Sequence, residues 1–220
     1  MNSKVAVLTS KESWFLIYAK GMVKDLVKKN IQAKLFTDPG RISQSYDTVF
    51  VLSYFKILNK TFIKSHKNVL VVHESDLPKG KGWSPLFWQI IEGKNKIPVV
   101  LFQVGDVLDS GDIYLKDYIT LKGDELYDEI RRLQAEKTIK LCKAFLRRPK
   151  GLKVTKQKGK STYYSRRTPK DSRISPNKAL AEQFNLLRIA SNDDFPAFLD
   201  HKGSRYILKI YKEGDHGLQK

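Results

Sequence analysis

Short apolar runs alternating with amphipathic stretches predict an α/β protein: a Rossmann-like, mostly parallel sheet flanked by helices, with a small C-terminal extension. Four runs carry the strand reading, within Lys4–Thr9, Ile31–Phe36, Thr48–Ser53 and Val69–Val72. The last is apolar throughout, as a strand buried on both faces requires. Between the first two runs, Trp14–Lys29 sets Phe15, Ala19, Met22, Val23, Leu26 and Val27 in a helical stripe, as a βαβ unit demands. No GxGxxG follows the first strand, so a dinucleotide is not expected.

Taken in order, Asp38-Pro39-Gly40 ends the second strand. Ser53–Leu58 reads as a loop, or as a helix start that packs Phe55 and Leu58. Beyond Val72, His73, Ser75 and Asp76 enter a loop shaped by Pro78, Gly80, Gly82 and Pro85, where neither helix nor strand can continue. Titratable groups at the end of a buried strand lie where open α/β sheets place their sites. Ser84-Pro85 opens a helix over Leu86–Glu92, and Gly93 closes it. Pro98–Gln103 is the next strand, and Asp109–Tyr118 follows in hairpin-like fashion. The longest helix is Asp124–Leu146, with Leu126, Ile130, Leu133 and Leu141 on one side. Acids fill its first turn and Arg147-Arg148 its end, matching the helix dipole. Arg147–Lys160 is rich in Gly, Lys and Pro and marks a boundary, giving a main domain over 1–148 and an extension over 149–220. A helix over Asn177–Ile189, a last strand over Arg205–Tyr211 and a frayed end from Glu213 complete the chain.

The chain of 220 residues suits one domain plus an appendage, with 41% hydrophobic residues for a core. No apolar run approaches the roughly 20 residues that span a bilayer, and the opening run is too short for a signal peptide. Cys142 is the single cysteine, which excludes an internal disulfide and fits a reducing, cytoplasmic setting. Four scattered histidines offer no metal-ligand spacing. The formal net charge of +18 suits nucleic acid, an anionic small molecule or a solvated basic face. Twelve of the 41 cations fall between Arg147 and Leu180, against one acid, Asp171.

Two motifs carry the chemistry. HxSxLPxxxGxxP runs from His73 to Pro85, and LDSGD runs from Leu108 to Asp112. The pair resembles the signature of folate-dependent formyltransferases with a methionyl-tRNA formyltransferase-like core. The resemblance implies transfer of a formyl group from N10-formyltetrahydrofolate, as co-substrate, to an amine, with no metal. It carries the family's catalytic His onto His73 and its catalytic Asp onto Asp109, thirty-six positions later. An imidazole that titrates near neutrality suits the proton transfer, and a carboxylate beside it steadies the imidazolium. His73 is thus the candidate acid/base and oxyanion partner, and Asp109 its orienter or the base itself. Ser53–Leu58 resembles the family loop that lines the pterin pocket, implying cofactor contacts from Tyr54, Lys56, Ile57 and Leu58, and from Asp106. The family's Asn two residues before the His is Val71 here. Asn68 cannot replace it, being about 10 Å along the strand and on the other face. The Ser75 hydroxyl and protonated His73 remain as oxyanion donors.

The segment Thr162–Ile174, TYYSRRTPKDSRI, resembles the YYxRRTPxDxRI stretch of sugar N-formyltransferases. It implies a nucleotide-linked amino-deoxy sugar acceptor on a UDP or dTDP carrier. Such acceptors belong to flagellin-glycan, pseudaminic-acid and O-antigen lipopolysaccharide pathways. Rings stack on a base or sugar and guanidinium forks grip phosphate. The candidate substrate contacts are Ser75, Lys79, Lys81, Trp83, Tyr163, Tyr164, Arg166 and Arg167. Two other readings stay open: a methionyl-tRNA formyltransferase-like enzyme, and a non-catalytic basic module for nucleic acid. Nucleic acid is not the expected partner, because the chain ends soon after the long helix. No membrane partner is expected, and a homodimer is compatible with the sequence.

Overall fold

The computed structural model describes residues 4–105, 107–147 and 154–213. The elements run β1 (Val5–Leu8), α1 (Leu16–Lys28), β2 (Ala33–Phe36), β3 (Thr48–Val51), α2 (Lys60–Lys64), β4 (Asn68–His73), β5 (Lys81–Gly82) and α3 (Pro85–Ile91). They continue β6 (Lys96–Gln103), β7 (Ile113–Thr120), α4 (Tyr127–Leu146), β8 (Tyr163–Tyr164), α5 (Phe184–Arg188), β9 (Ala197–His201) and β10 (Ser204–Leu208). Six strands form the central sheet in the order β2-β1-β3-β4-β6-β7. The first four are mutually parallel, and β6 is antiparallel to both β4 and β7. β6 and β7 are joined without a helix, which permits only the antiparallel pairing.

Helices cover one face of the sheet. There α1, α3 and α4 bury Met22, Leu26, Leu86, Ile90, Ile130, Leu141 and Phe145 against Val5, Val7, Phe50, Leu70 and Leu101. Such side chains contribute roughly 1.5–3 kcal/mol each on full burial. On the other face Ala6, Leu8, Val49, Val51 and Val69 pack with Phe62 of α2, Tyr54 and Leu58. Since β1 lies between β2 and β3, the chain changes direction across the sheet at β1 and β3. Ligands of open α/β sheets bind outside the carboxyl ends at such a point. The two loops leaving those ends are tied together there, Phe55 N donating to Ser10 Oγ at 2.8 Å. Among the described residues no helix is long and apolar enough to cross a membrane.

The expected elements differ from the observed ones in instructive places. The longest helix starts at Tyr127, not Asp124, because the Glu125 carboxylate accepts from Lys122 N and Gly123 N and forms a turn first. Most of the helix expected over Asn177–Ile189 is loop, a 3-10 turn and the short α5. There the Gln183 side chain bonds to Ser175 N and to the carbonyls of Ser175 and Lys178, closing a loop instead. β9 was not expected; it pairs with β10 across a tight turn at Lys202-Gly203, both at positive φ. The expected boundary at 148/149 lies outside the described residues.

The residues after α4 are tied to the sheet in part through Arg188 of α5, which is completely buried. Its guanidinium donates to Asn95 Oδ1 at 2.7 Å and Asn185 Oδ1 at 2.9 Å, and pairs with Glu125 Oε2 at 3.5 Å. Removing one member of a buried charged network leaves the other uncompensated. Arg188→Ala is therefore expected to destabilise the fold by about 3–5 kcal/mol, read as a lower urea midpoint. A loss below about 1 kcal/mol would mean that the network around Arg188 is not a principal tie.

Candidate functional site

Residues alternate along β4, so Val69, Val71 and His73 share a face. Val71 packs there with Leu77, Val100 and Phe102, and has no donor to offer. Asn68 is at the far end of the strand, its amide bonded to Asp47 O and Thr48 Oγ1. His73 ends β4 and its Nε2 donates to the Gly80 carbonyl at 2.8 Å. A carbonyl only accepts, so Nε2 carries the hydrogen and the neutral ring keeps its lone pair on Nδ1. Asp109 Oδ2 lies 4.0 Å from the same Nε2, beyond hydrogen-bond distance. The ring is thus oriented by Gly80, the role expected of Asp109. The two side chains are only 8% and 11% exposed.

Asp109 reaches this position by an indirect route. β6 runs antiparallel to β4, so the loop leaving it starts beside Val69, where Val104 N donates to Val69 O at 2.8 Å. The loop then doubles back along β4 to bring Asp109 to His73. Gly111 is required on the way, because any Cβ there would strike the Gln103 carbonyl.

β5 connects the pair. Its outer edge is held by the extension: Lys81 N donates to Thr162 O at 2.9 Å and Trp83 N to Tyr164 O at 3.1 Å. Gly80 N also donates to Thr162 Oγ1 at 2.8 Å. Its inner edge points at the site, where Gly80 O meets His73 and Gly82 N donates to Asp109 Oδ2 at 3.0 Å. Gly82 sits at φ +94°, and a Cβ would come within 2.5 Å of Tyr164 O. Only glycine fits that approach.

The candidate acceptor contacts divide into two groups. Lys81 Nζ lies 5.9 Å from the Tyr163 ring centroid, and the Arg166 guanidinium 5.0 Å from that of Trp83. Lys79, Tyr163 and Arg166 are exposed, Trp83 partly so, and Lys81 is 95% buried without a carboxylate partner among the described residues. The others turn away. Tyr164 stacks on Trp88, and its hydroxyl donates to Glu92 Oε1 at 2.7 Å. Burial, then Glu92, push that phenol well above its ordinary range. Arg167 bonds to Asp171 O and Ser172 Oγ and lies over Phe87. Its burial, with Arg131 nearby, lowers its pKa. The Ser75 hydroxyl is sealed beneath Gly80 with no partner among the described residues.

Of the cofactor candidates, Tyr54 and Leu58 pack beside Val71 and Val104 on the helix-poor face. Burial, with Asp38 adding its charge, raises the Tyr54 phenol, which stays a neutral donor. Lys56 is exposed and Ile57 is 92% exposed, a large aliphatic side chain standing in solvent. Asp106 lies outside the described residues. Among those described, no group of three His, Cys, Asp or Glu could hold a metal ion.

Sequence reasoning missed Thr162 and Gln157. Thr162 adjoins the paired tyrosines and was within reach of that motif. Gln157 Nε2 donates to Asp109 O at 3.0 Å and Gly111 O at 2.8 Å, yet it stands alone in a lysine-rich stretch that carries no signal. Glu74, also unremarked, is clamped behind His73 by Gln89 and Gln134.

A family model described as formyl transferase matches residues 4–144. A methionyl-tRNA formyltransferase of Clostridium beijerinckii is 31% identical over 175 residues, which are 76% of this chain and 54% of that protein. The chain spans about half the length of the curated relatives it matches. Among solved structures, a methionyl-tRNA formyltransferase from Clostridium thermocellum superposes with a TM-score of 0.75 at 23% identity, over 92% of this chain and 90% of that one. A sugar N-formyltransferase from a Shewanella species gives 0.68 at 14% identity, over 96% and 98%. At such identities the two likenesses are of fold. The family match includes both His73 and Asp109 in their motifs, and the chain belongs to the formyl transferase family.

Proposed function

We propose that this chain transfers a formyl group from N10-formyltetrahydrofolate to the amine of a nucleotide-linked amino-deoxy sugar. The observation that carries the reading is the enclosed His73–Asp109 pair beside the cation–aromatic surface of Lys79, Trp83, Tyr163 and Arg166, with Lys81 buried against Tyr163. Tyr54, Leu58 and Val71, by the carboxyl ends of β1 and β3, give an apolar wall that suits a flat pterin ring.

The donor supplies the formyl carbon, and this chain's side chains manage protons and charge. His73 Nδ1, basic while Nε2–H is bound to Gly80, takes the proton that the attacking amine must lose. Asp109 at 4.0 Å then faces an imidazolium. At an effective dielectric of about 20 their attraction is on the order of 4 kcal/mol, before desolvation is subtracted. Negative charge developing on the formyl oxygen needs a donor, commonly worth about 3–4 kcal/mol. Val71 offers none and the Ser75 hydroxyl is sealed, so the imidazolium formed by that proton transfer serves, and it then returns the proton to the donor's nitrogen as that C–N bond breaks. At the acceptor side, Trp83 and Tyr163 provide stacking faces, and Lys79, Lys81 and Arg166 provide charge for a diphosphate.

A second reading, methionyl-tRNA as acceptor, is favoured by the curated relatives and by the net charge of +18. Salt separates the two. Binding to RNA phosphates weakens steeply as salt rises, whereas a single diphosphate responds far less.

The catalytic pair comes first. His73→Ala and Asp109→Ala are expected to keep the fold and lose about 100- to 10,000-fold in kcat/KM. A value within about threefold of wild type would remove either residue from its role. For the acceptor surface, Arg166→Ala should raise KM for the sugar nucleotide and leave the folate KM unchanged. Arg167→Ala should instead cost about 1–3 kcal/mol of stability, since its buried hydrogen bonds are lost. An equal rise in both KM values for Arg166→Ala would make that residue structural. Finally, Val71→Asn should keep or raise kcat by restoring a donor, and a fall of more than about tenfold would show that the slot has no access to the formyl oxygen.

A further inference from the structure

The backbone of Asp109 is unusual for a residue with a side chain. Its φ is +50°, in the left-handed region, where a Cβ crowds the following carbonyl. Such a conformation persists only where surrounding contacts over-determine it. Two local features shape the turn without touching the peptide groups of Asp109. Gly111 leaves room for the Gln103 carbonyl, and Ser110 Oγ donates to Val107 O at 2.7 Å.

The side chain that does touch them comes from the extension. Gln157 Nε2 donates to Asp109 O at 3.0 Å and to Gly111 O at 2.8 Å, across 48 and 46 residues. One primary amide carries two N–H groups, enough to span two carbonyls at once, and a carboxylate or an aliphatic chain has none. Gln157 is itself fixed, because two residues earlier Thr155 exchanges backbone hydrogen bonds with Ile113, both at 2.8 Å. The same turn aims Asp109 Oδ2 at Gly82 N–H and at the His73 ring.

We infer that Gln157 is a positioning residue for Asp109: by bridging the carbonyls of Asp109 and Gly111 it holds the left-handed turn that brings the carboxylate to β5 and His73. The catalytic consequence rests on the formyl-transfer reading; the geometric one does not.

Amide hydrogen exchange at Gly82, followed by NMR, reports the geometry directly, since its N–H donates to Asp109 Oδ2. Gln157→Leu, close in volume but without the amide, is expected to lower protection of Gly82 at least about tenfold, while Leu70 and Val100 in the sheet keep theirs. Asp109→Ala should give the same loss at Gly82, and the double variant no more than either single one. Unchanged protection of Gly82 in either single variant overturns the inference, as does a loss shared equally with the sheet amides. With N10-formyltetrahydrofolate and dTDP-4-amino-4,6-dideoxyglucose as probes, Gln157→Leu should lower kcat about tenfold with both KM values within about twofold. An unchanged kcat also overturns it. If wild type and His73→Ala do not differ in that assay, the formyl-transfer reading fails, and exchange at Gly82 still decides the role of Gln157.

Discussion

Everything at the site depends on two backbone groups on either side of Lys81, the residue that opens β5. The Gly80 carbonyl and the Gly82 N–H flank Lys81 on the inner edge of β5, one bound to His73 and the other to Asp109. Backbone spacing in an extended segment sets the distance between these groups, so the strand acts as a gauge that keeps the imidazole and the carboxylate in fixed relation. The gauge is held from its outer edge by β8 and Thr162. Net hydrogen-bond contributions of about 1 kcal/mol each, somewhat more for the ionised Asp109, together exceed the roughly 1–2 kcal/mol of strain in one left-handed residue.

The strand order explains why so many long-range contacts are needed. Had β6 been parallel to β4, its carboxyl end would open directly beside His73. Being antiparallel, it delivers the Asp109 loop from the other end of the sheet. The loop must double back, and a doubled-back loop has no ladder of its own to rigidify it. Contacts from 27, 48 and 82 residues away do that work instead: Gly82 with Asp109, Gln157 with Asp109, Thr162 with Gly80. The residues after α4 thus brace the loops that carry His73 and Asp109.

Interior packing also accounts for part of the basic composition. Arg188 is sealed between α5 and the sheet domain. Arg131 lies 4.3 Å from the Trp14 ring centroid, 4.4 Å from that of Phe87 and 5.1 Å from that of Tyr127, and bonds to Gln134, which in turn holds Glu74 behind His73. Arg167 turns to the same interior. These guanidinium groups serve packing, since a planar cation covers aromatic faces while its edge makes hydrogen bonds. The net charge of the chain therefore overstates what its surface offers to a polyanion.

Sequence by itself determined the parts whose signal is local. Apolar runs at Val5–Leu8, Thr48–Val51 and Val69–Val72 could only be buried strands, the stripe in α1 only a helix against them, and the two motifs around His73 and Asp109 marked the family. Glycine and proline punctuation marked the break after His73, but not that Lys81–Gly82 would pair with Tyr163–Tyr164 as a short strand within it. What only the tertiary structure decided is where long-range partners win. Side chains from the loops decided that α4 begins at Tyr127 and that most of the expected helix before Arg188 is loop. Only Tyr163–Tyr164 is strand, and the chain leaves strict alternation after it, so that Tyr163 and Arg166 are exposed while Tyr164 and Arg167 turn inward, a choice the motif string does not encode. Gln157 carried no local pattern at all, since its role exists only once the Asp109 loop has folded back to meet it.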